Sequence, residues 1–288
     1  MAMIELKNQF LKVKISSFGA ELTSIQSIND QYEYLWQADP SYWNRHAPIL
    51  FPIVGKLKND QFIYHDTRYQ LSQHGFARDL NFQVIEVEAQ KAVFELRYTL
   101  NSLSVFPFKF SLKVIYRLKD NEITVSYQVA NLSNDEMMYF SIGAHPAFNV
   151  PNFESAKLCF SPQAEVTQIP VTDEVLLRLD ETSKVILTEL PLSRDLFKDG
   201  VLVYETSGRN SVILELTDIN KKIEVSYDNM NYLGLWSPYP KEAPFVCIEP
   251  WCGVADDQFS NGKLNEKYGI NRLKPTELFE KNYKLSFL

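Results

Sequence analysis

The sequence predicts an all-β protein, a large antiparallel β-sandwich with a few short helical turns. Three observations predict it: apolar and polar residues alternate over most of the chain, polar turns separate the alternating runs, and the strand-helix-strand rhythm of a parallel sheet is missing. The first run sets Leu11, Val13 and Ile15 against Lys12, Lys14 and Ser16, the period of two expected of a half-buried strand. Asp39-Pro40-Ser41-Tyr42-Trp43 then reads as a capped single turn. A further strand is expected over Ala92 to Leu100. Phe108, Phe110, Leu112, Val114 and Tyr116 alternate with Lys109, Ser111, Lys113 and Arg117, and past Lys119-Asp120-Asn121 the alternation resumes with Ile123, Val125, Tyr127 and Val129. That pair is the strongest hairpin signal in the chain. Met138 to Ile142 is strand-like, and Ser193-Arg194-Asp195-Leu196-Phe197 is a second single turn. Ser211 to Leu216, Ile223 to Tyr227 and Tyr283 to Leu288 complete the strands.

No linker rich in Pro, Gly or Ser divides the chain, and no internal repeat is visible, so residues 1–288 are expected to form a single domain. With 45% hydrophobic and 13% aromatic residues the chain can fill a sizeable core. Its net charge of -7, without a Lys/Arg cluster, argues against a nucleic-acid partner. No apolar stretch is long enough to span a bilayer, and the N-terminus lacks the pattern of an export signal. A soluble, cytoplasmic protein is expected. Cys159, Cys247 and Cys252 match no zinc or redox spacing and are expected to be reduced, buried thiols.

Four segments depart from the strand-and-turn pattern and collect the chemically capable side chains. Trp43 to Lys56 opens with Arg45 and His46, and its Pro48 and Pro52 exclude a central strand. Gln73-His74-Gly75-Phe76-Ala77-Arg78-Asp79 flanks with His and Arg a glycine that permits close backbone approach. Ile142 to Val150 holds His145 among small apolar residues. Val246 to Gly253 holds Glu249, a lone carboxylate in an apolar run. Such a carboxylate must be paired, hydrogen-bonded or kept at a raised pKa. A raised pKa suits a general base; a structural ion pair with an arginine is the alternative. Each His alone also fits a core or turn position, and His65, in Tyr64-His65-Asp66, fits a hairpin turn. Arg45 and Arg78 fit substrate clamps or partners of carboxylates. Of Trp36, Trp43, Trp236 and Trp251, one or two are expected to offer a flat face to a ligand, Trp236 being the one selected. There is no nucleophile elbow, phosphate loop or zinc signature.

Taken in order, these segments resemble the signature positions of the aldose 1-epimerase (galactose mutarotase) family over nearly the whole chain. The matching residues are Arg45, His74 before Gly75, His145 in His145-Pro146-Ala147-Phe148-Asn149, and Glu249 before Pro250. The resemblance implies a galactose mutarotase-like supersandwich that opens and closes an aldohexose ring without cofactor or metal. It assigns Glu249 as general base, His145 as general acid, and Arg45, His74, Arg78, Asp199 and Trp236 as substrate-binding residues. His74-Gly75-Phe76-Ala77-Arg78 departs from the usual His-Gly-Gly and is similar to the hexose-6-phosphate mutarotase branch. The ligand is therefore expected to be an aldohexose or its 6-phosphate; a sugar-binding or sensing protein on the same fold is a third reading. A monomer or homodimer is expected. His145 is expected to be protonated at some stage near neutral pH, which a nearby Glu249 carboxylate favours by opposing charge, and the pH profile is expected to be bell-shaped.

Overall fold

Most strands of the computed structural model, which describes residues 1–288, belong to one long antiparallel sheet. Its spatial order begins Ile49–Leu50, Ile142–Ala144, Phe245–Cys252, Tyr232–Trp236, Leu202–Glu205 and Ala156–Ile169. It continues through Arg209–Leu216, Lys221–Asp228, Leu278–Phe287, Glu122–Asn131, Phe110–Lys119, Lys91–Arg97 and Gln83–Glu88. A three-stranded sheet, Met3–Lys7, Leu11–Ser16 and Glu21–Ser27, shares its core with the long one, as Leu6, Val13, Ile15 and Ile25 join a cluster that also takes in Val125 and Leu285.

The alternation explains this arrangement. In Glu122–Asn131 every second side chain, from Ile123 to Val129, is fully buried while its neighbours stay half exposed. Each buried Val, Ile or Tyr contributes on the order of 2 kcal/mol of transfer free energy, and slipping the register by one residue would turn that face to water. The hairpin expected around Asp120 forms, with Glu122 opposite Lys119.

Local chemistry shifts some boundaries. The strand expected to reach Leu100 stops at Arg97, because Thr99 caps a six-residue helix, Leu100–Val105, through a reciprocal box with Ser102. Asp39 forms the expected turn, its carboxylate accepting from the backbone and hydroxyl of Ser41, and Arg194–Phe197 is a single 3-10 turn. In the Pro-bearing run only Ile49–Leu50 is strand, at the sheet edge. His65 and Asp66 form a hairpin tip with φ of 46° and 58°. Of the three free thiols, Cys247 and Cys252 are buried and Cys159 is only half-buried. No helix is long and apolar enough to cross a membrane.

Candidate active site

Strand register brings His145 and Glu249 face to face. Gly143 pairs with Trp251 and Ala147 with Cys247, so between them His145 falls opposite Glu249, while Pro146 and Pro250 interrupt the ladder for want of an N–H. Alternation then puts Cys247, Glu249 and Trp251 on one face of their strand. On the other side Gly234 pairs with Glu249 and Trp236 with Cys247. Glycine at 234 makes room for the Trp251 indole, whose ring lies where a Cβ would stand.

This patch forms the floor of a cavity of about 440 Å³, within the usual range for small-molecule sites. His145 Nε2 lies 3.3 Å from Glu249 Oε2, and the two side chains are 9% and 1% exposed. Glu249 Oε2 and His145 Nδ1 have no hydrogen-bond partner. The alternative of an arginine ion pair for Glu249 is not realised.

Burial pushes the Glu249 carboxyl well above its ordinary range, opposed only by the nearby Trp251 indole N–H. Burial, reinforced by the positive charges of Arg78 and Arg45, pushes the His145 imidazole down to about 3. Desolvation thus favours the neutral form of both groups, against the pull that an ionised Glu249 would exert on the His145 proton. Such a pair carries the same number of protons as the carboxylate-imidazolium pair, so one proton transfer interconverts them.

Aromatic rings enclose His145. Trp43 stacks on it at 4.9 Å between centroids, Trp236 meets it edge-on at 5.8 Å, and His74 does so at 5.5 Å. His74 is clamped to Gly55 twice, its backbone N–H donating to the Gly55 carbonyl and its Nδ1 accepting the Gly55 N–H at 3.1 Å. With Nδ1 accepting, Nε2 carries the proton. Burial and the neighbouring cationic groups hold this ring neutral. The clamp requires tight backbone: His74 and Gly75 have φ of 67° and 70°, and a Cβ on Gly75 would run into Phe51 and Pro52.

Arg45 and Arg78 reach the same cavity from the two loops. The loop before Ala47 is held by Glu21, whose carboxylate accepts the N–H groups of His46 and Ala47. Arg45 Nη2 pairs with Asp79 Oδ1 at 2.8 Å. Arg78 donates to the Gln73 carbonyl at 2.7 Å, and its Nε lies 3.7 Å from Asp79 Oδ2. One carboxylate thus serves both guanidinium groups.

Of the seven residues singled out in the sequence, Glu249, His145, Arg45, His74, Arg78 and Trp236 line this cavity. Asp199 is exposed and lines an adjoining compartment instead. Trp43, Trp251 and Gln73 line the cavity too, together with apolar residues such as Val171, Val175 and Leu177. Of the four tryptophans, Trp43 is the one that stacks on His145, and Trp236 meets it edge-on. His46 stands outside, 3.9 Å from Glu21 in a separate groove. His145, Cys247 and Glu249 offer ligand atoms within 4.8 Å of one another. Burial raises the pKa values of both the thiol and the carboxyl.

Comparison with known proteins identifies the family and the fold. The sequence profile of the aldose 1-epimerase family matches residues 2–283. Protein LacX of Lactococcus lactis is 34% identical, with 99% of each chain covered. The crystal structure of a galactose mutarotase related enzyme from Lactobacillus acidophilus superposes with a TM-score of 0.97 at 38% identity, covering 100% of this chain and 97% of that one. A galactose mutarotase-like protein from Lactobacillus casei gives 0.93 at 31% identity, with both chains fully covered. With a matching profile across the chain, relatives of equal length and this fold, the protein belongs to the aldose 1-epimerase family and is an isomerase.

Proposed function

We propose that the protein is a mutarotase for neutral aldohexoses, with Glu249 as general base and His145 as general acid. The buried cross-strand pair of carboxyl and imidazole at the cavity floor carries this reading. In a pyranose the hydroxyl that loses its proton and the ring oxygen that gains one hang from the same carbon, so base and acid must stand side by side. Glu249, as carboxylate, takes the C1 hydroxyl proton; His145, as imidazolium, gives its proton to the ring oxygen while the C1–O bond breaks toward that oxygen. The product is the open aldehyde, with the proton on Glu249 and His145 neutral, the forms that burial favours. Rotation about C1–C2 presents the other carbonyl face, and the reversed transfers close the ring to the other anomer. No proton need be exchanged with water between the two halves.

His74, with its proton on Nε2, and the guanidinium groups of Arg45 and Arg78 are the donors for sugar hydroxyls, and Trp43 and Trp236 supply flat apolar faces. What favours a neutral sugar over a 6-phosphate is Asp79: a phosphate would have to compete with a carboxylate already engaged by Arg45 and close to Arg78.

Saturation-transfer NMR on glucose, galactose and their 6-phosphates tests the reading. Glu249→Gln and His145→Gln are each expected to lower kcat by about 10²- to 10⁴-fold with the fold retained, and the neutral sugars are expected to exchange faster than the phosphates. Normal exchange by folded Glu249→Gln would sink the assignment of the base. Preference for the 6-phosphates would overturn that of the substrate.

A further inference from the structure

The strand that carries Glu249 ends at Cys252, and residues 253–256 run on outside any ladder. Val254 and Ala255 nonetheless wall the cavity, so the carbonyl groups of this irregular stretch need donors from elsewhere. Asn271 donates to the Cys252 carbonyl at 2.8 Å, and the Lys267 ammonium donates to those of Val254 and Ala255 at 2.5 and 2.8 Å. Lys267 Nζ also lies 3.4 Å from Asp256 Oδ1, with side chains only 2% and 3% exposed. An ammonium with three donors thus meets two carbonyl groups and one carboxylate. A buried ion pair of this kind adds little net stability over apolar residues of similar volume; what this one adds is a fixed backbone.

Two sides of the cavity hang from that backbone. The Asp256 N–H donates to the Lys56 carbonyl at 2.8 Å, and Asp256 Oδ2 accepts the Lys58 N–H at 3.0 Å. Between these anchors Ala255 packs so closely on Gly55 that a Cβ on the glycine would overlap it. Gly55 is the residue that clamps His74, by its N–H to Nδ1 and by its carbonyl to the His74 N–H. On the other side the Asp256 carbonyl accepts the N–H of Leu177, a further residue of the cavity wall. Glu249 and His145 depend on none of these bonds, being set by strand pairing on either side of them.

We infer that Lys267 is a positioning residue for substrate binding: from behind the cavity wall its ammonium holds the carbonyl groups of Val254 and Ala255, and through Ala255 and Gly55 it fixes the orientation and tautomer of His74. It acts on the donor offered to the sugar and not on the proton transfers. The kinetic consequences rest on the mutarotase reading above; the orientation of His74 does not.

Lys267→Met strands Asp256 as a buried, unpaired carboxylate and is expected to fold poorly. The test therefore uses Lys267→Met/Asp256→Asn, which removes both charges, beside Asp256→Asn, which keeps the ammonium on both carbonyl groups. In anomer-exchange kinetics on glucose and galactose the double variant is expected to raise KM roughly three- to tenfold, the worth of one hydrogen bond, with kcat unchanged. Asp256→Asn is expected to keep a KM near that of the wild type. With His74→Gln added to the double variant, the two effects on KM are expected to fall short of multiplying. In protein labelled with 15N at histidine, His74 is expected to show one tautomer, protonated at Nε2, in the wild type and averaging between tautomers in the double variant. A fall in kcat at unchanged KM, an equal rise in KM for Asp256→Asn, effects on KM that multiply, or identical His74 shifts would each overturn the inference and leave the mutarotase reading standing. Absence of catalysed exchange by the wild type would refute that reading alone, the His74 shifts still deciding the role of Lys267.

Discussion

Burial acts on Glu249 and His145 in the same sense, toward neutrality, and this has consequences for stability as well as chemistry. The folded carboxyl titrates well above its ordinary 4.5, so the unfolded chain loses that proton first as pH rises. The advantage of folding with a neutral Glu249 is complete below about 4.5 and is lost as pH climbs toward the raised folded value. His145 is the mirror case: its folded pKa of about 3 lies below the ordinary 6.5, so stability falls as pH drops from 6.5 toward 3. Glu249→Gln is therefore expected to raise the Tm over wild type by more at pH 8 than at pH 5, and His145→Gln by more at pH 4 than at pH 7, in thermal denaturation by circular dichroism. Equal increments at both pH values would show that the groups are not desolvated as described. In activity the shared proton is expected to broaden the bell: the acid limb of kcat/KM should fall well below the usual imidazole range. At this scale the sequence exposed the chemical residues because each breaks a local pattern, Glu249 in an apolar run and His74 beside a required glycine. It left Trp43 one of four candidate rings, aromatic residues being ordinary in a sandwich, and left the carboxylate partner of Arg45 open, because its pairing with Asp79 depends on two loops meeting.

At the scale of elements, the site is a three-strand patch whose glycines are as decisive as its acids. The Trp251 indole lies across Gly143 and Gly234, where a Cβ on either would overlap its ring. Its N–H meanwhile donates to the Ala144 carbonyl at 3.2 Å, just before His145. Trp251 thus ties the strands carrying acid and base to one ring. Gly234→Ala is expected to destabilise the protein by about 1–3 kcal/mol through overpacking and to lower kcat, although residue 234, opposite Glu249 in the ladder, brings no acid or base of its own. Combining it with Trp251→Phe should recover part of the stability, and a double-mutant cycle should show coupling of at least about 0.5 kcal/mol. Strictly additive effects would mean that the indole is not seated on the glycine. The sequence showed these glycines as residues in strand-like runs but not their purpose, because the register that places Gly234 under a residue from another strand is a long-range fact. Alternation gave the strands well. It was the capping box at Thr99, a local hydrogen-bond device inside an apolar run, that moved a boundary.

For the whole molecule, repeated alternation predicted stacked antiparallel sheets but could not give their order, since each amphipathic strand is satisfied by many partners. The observed order gives one late strand an unusual position. Leu278–Phe287 lies between Glu122–Asn131 and Lys221–Asp228, with Leu285 opposite both Ile123 and Val225. The pairing joins the run of strands from Gln83 to Asn131 to the run that carries Glu249, and its side chains Tyr283, Leu285 and Phe287 are buried in the main core. If residues 1–288 behave as one domain, thermal unfolding should be a single transition by near- and far-ultraviolet circular dichroism. Deleting Leu278–Leu288 should then abolish it, because it uncovers the ladders of both neighbours and part of the core at once. Retention of a cooperative transition by the shortened chain, or two separate transitions in the intact one, would show that the two runs fold independently and that the last strand only decorates a sheet already complete.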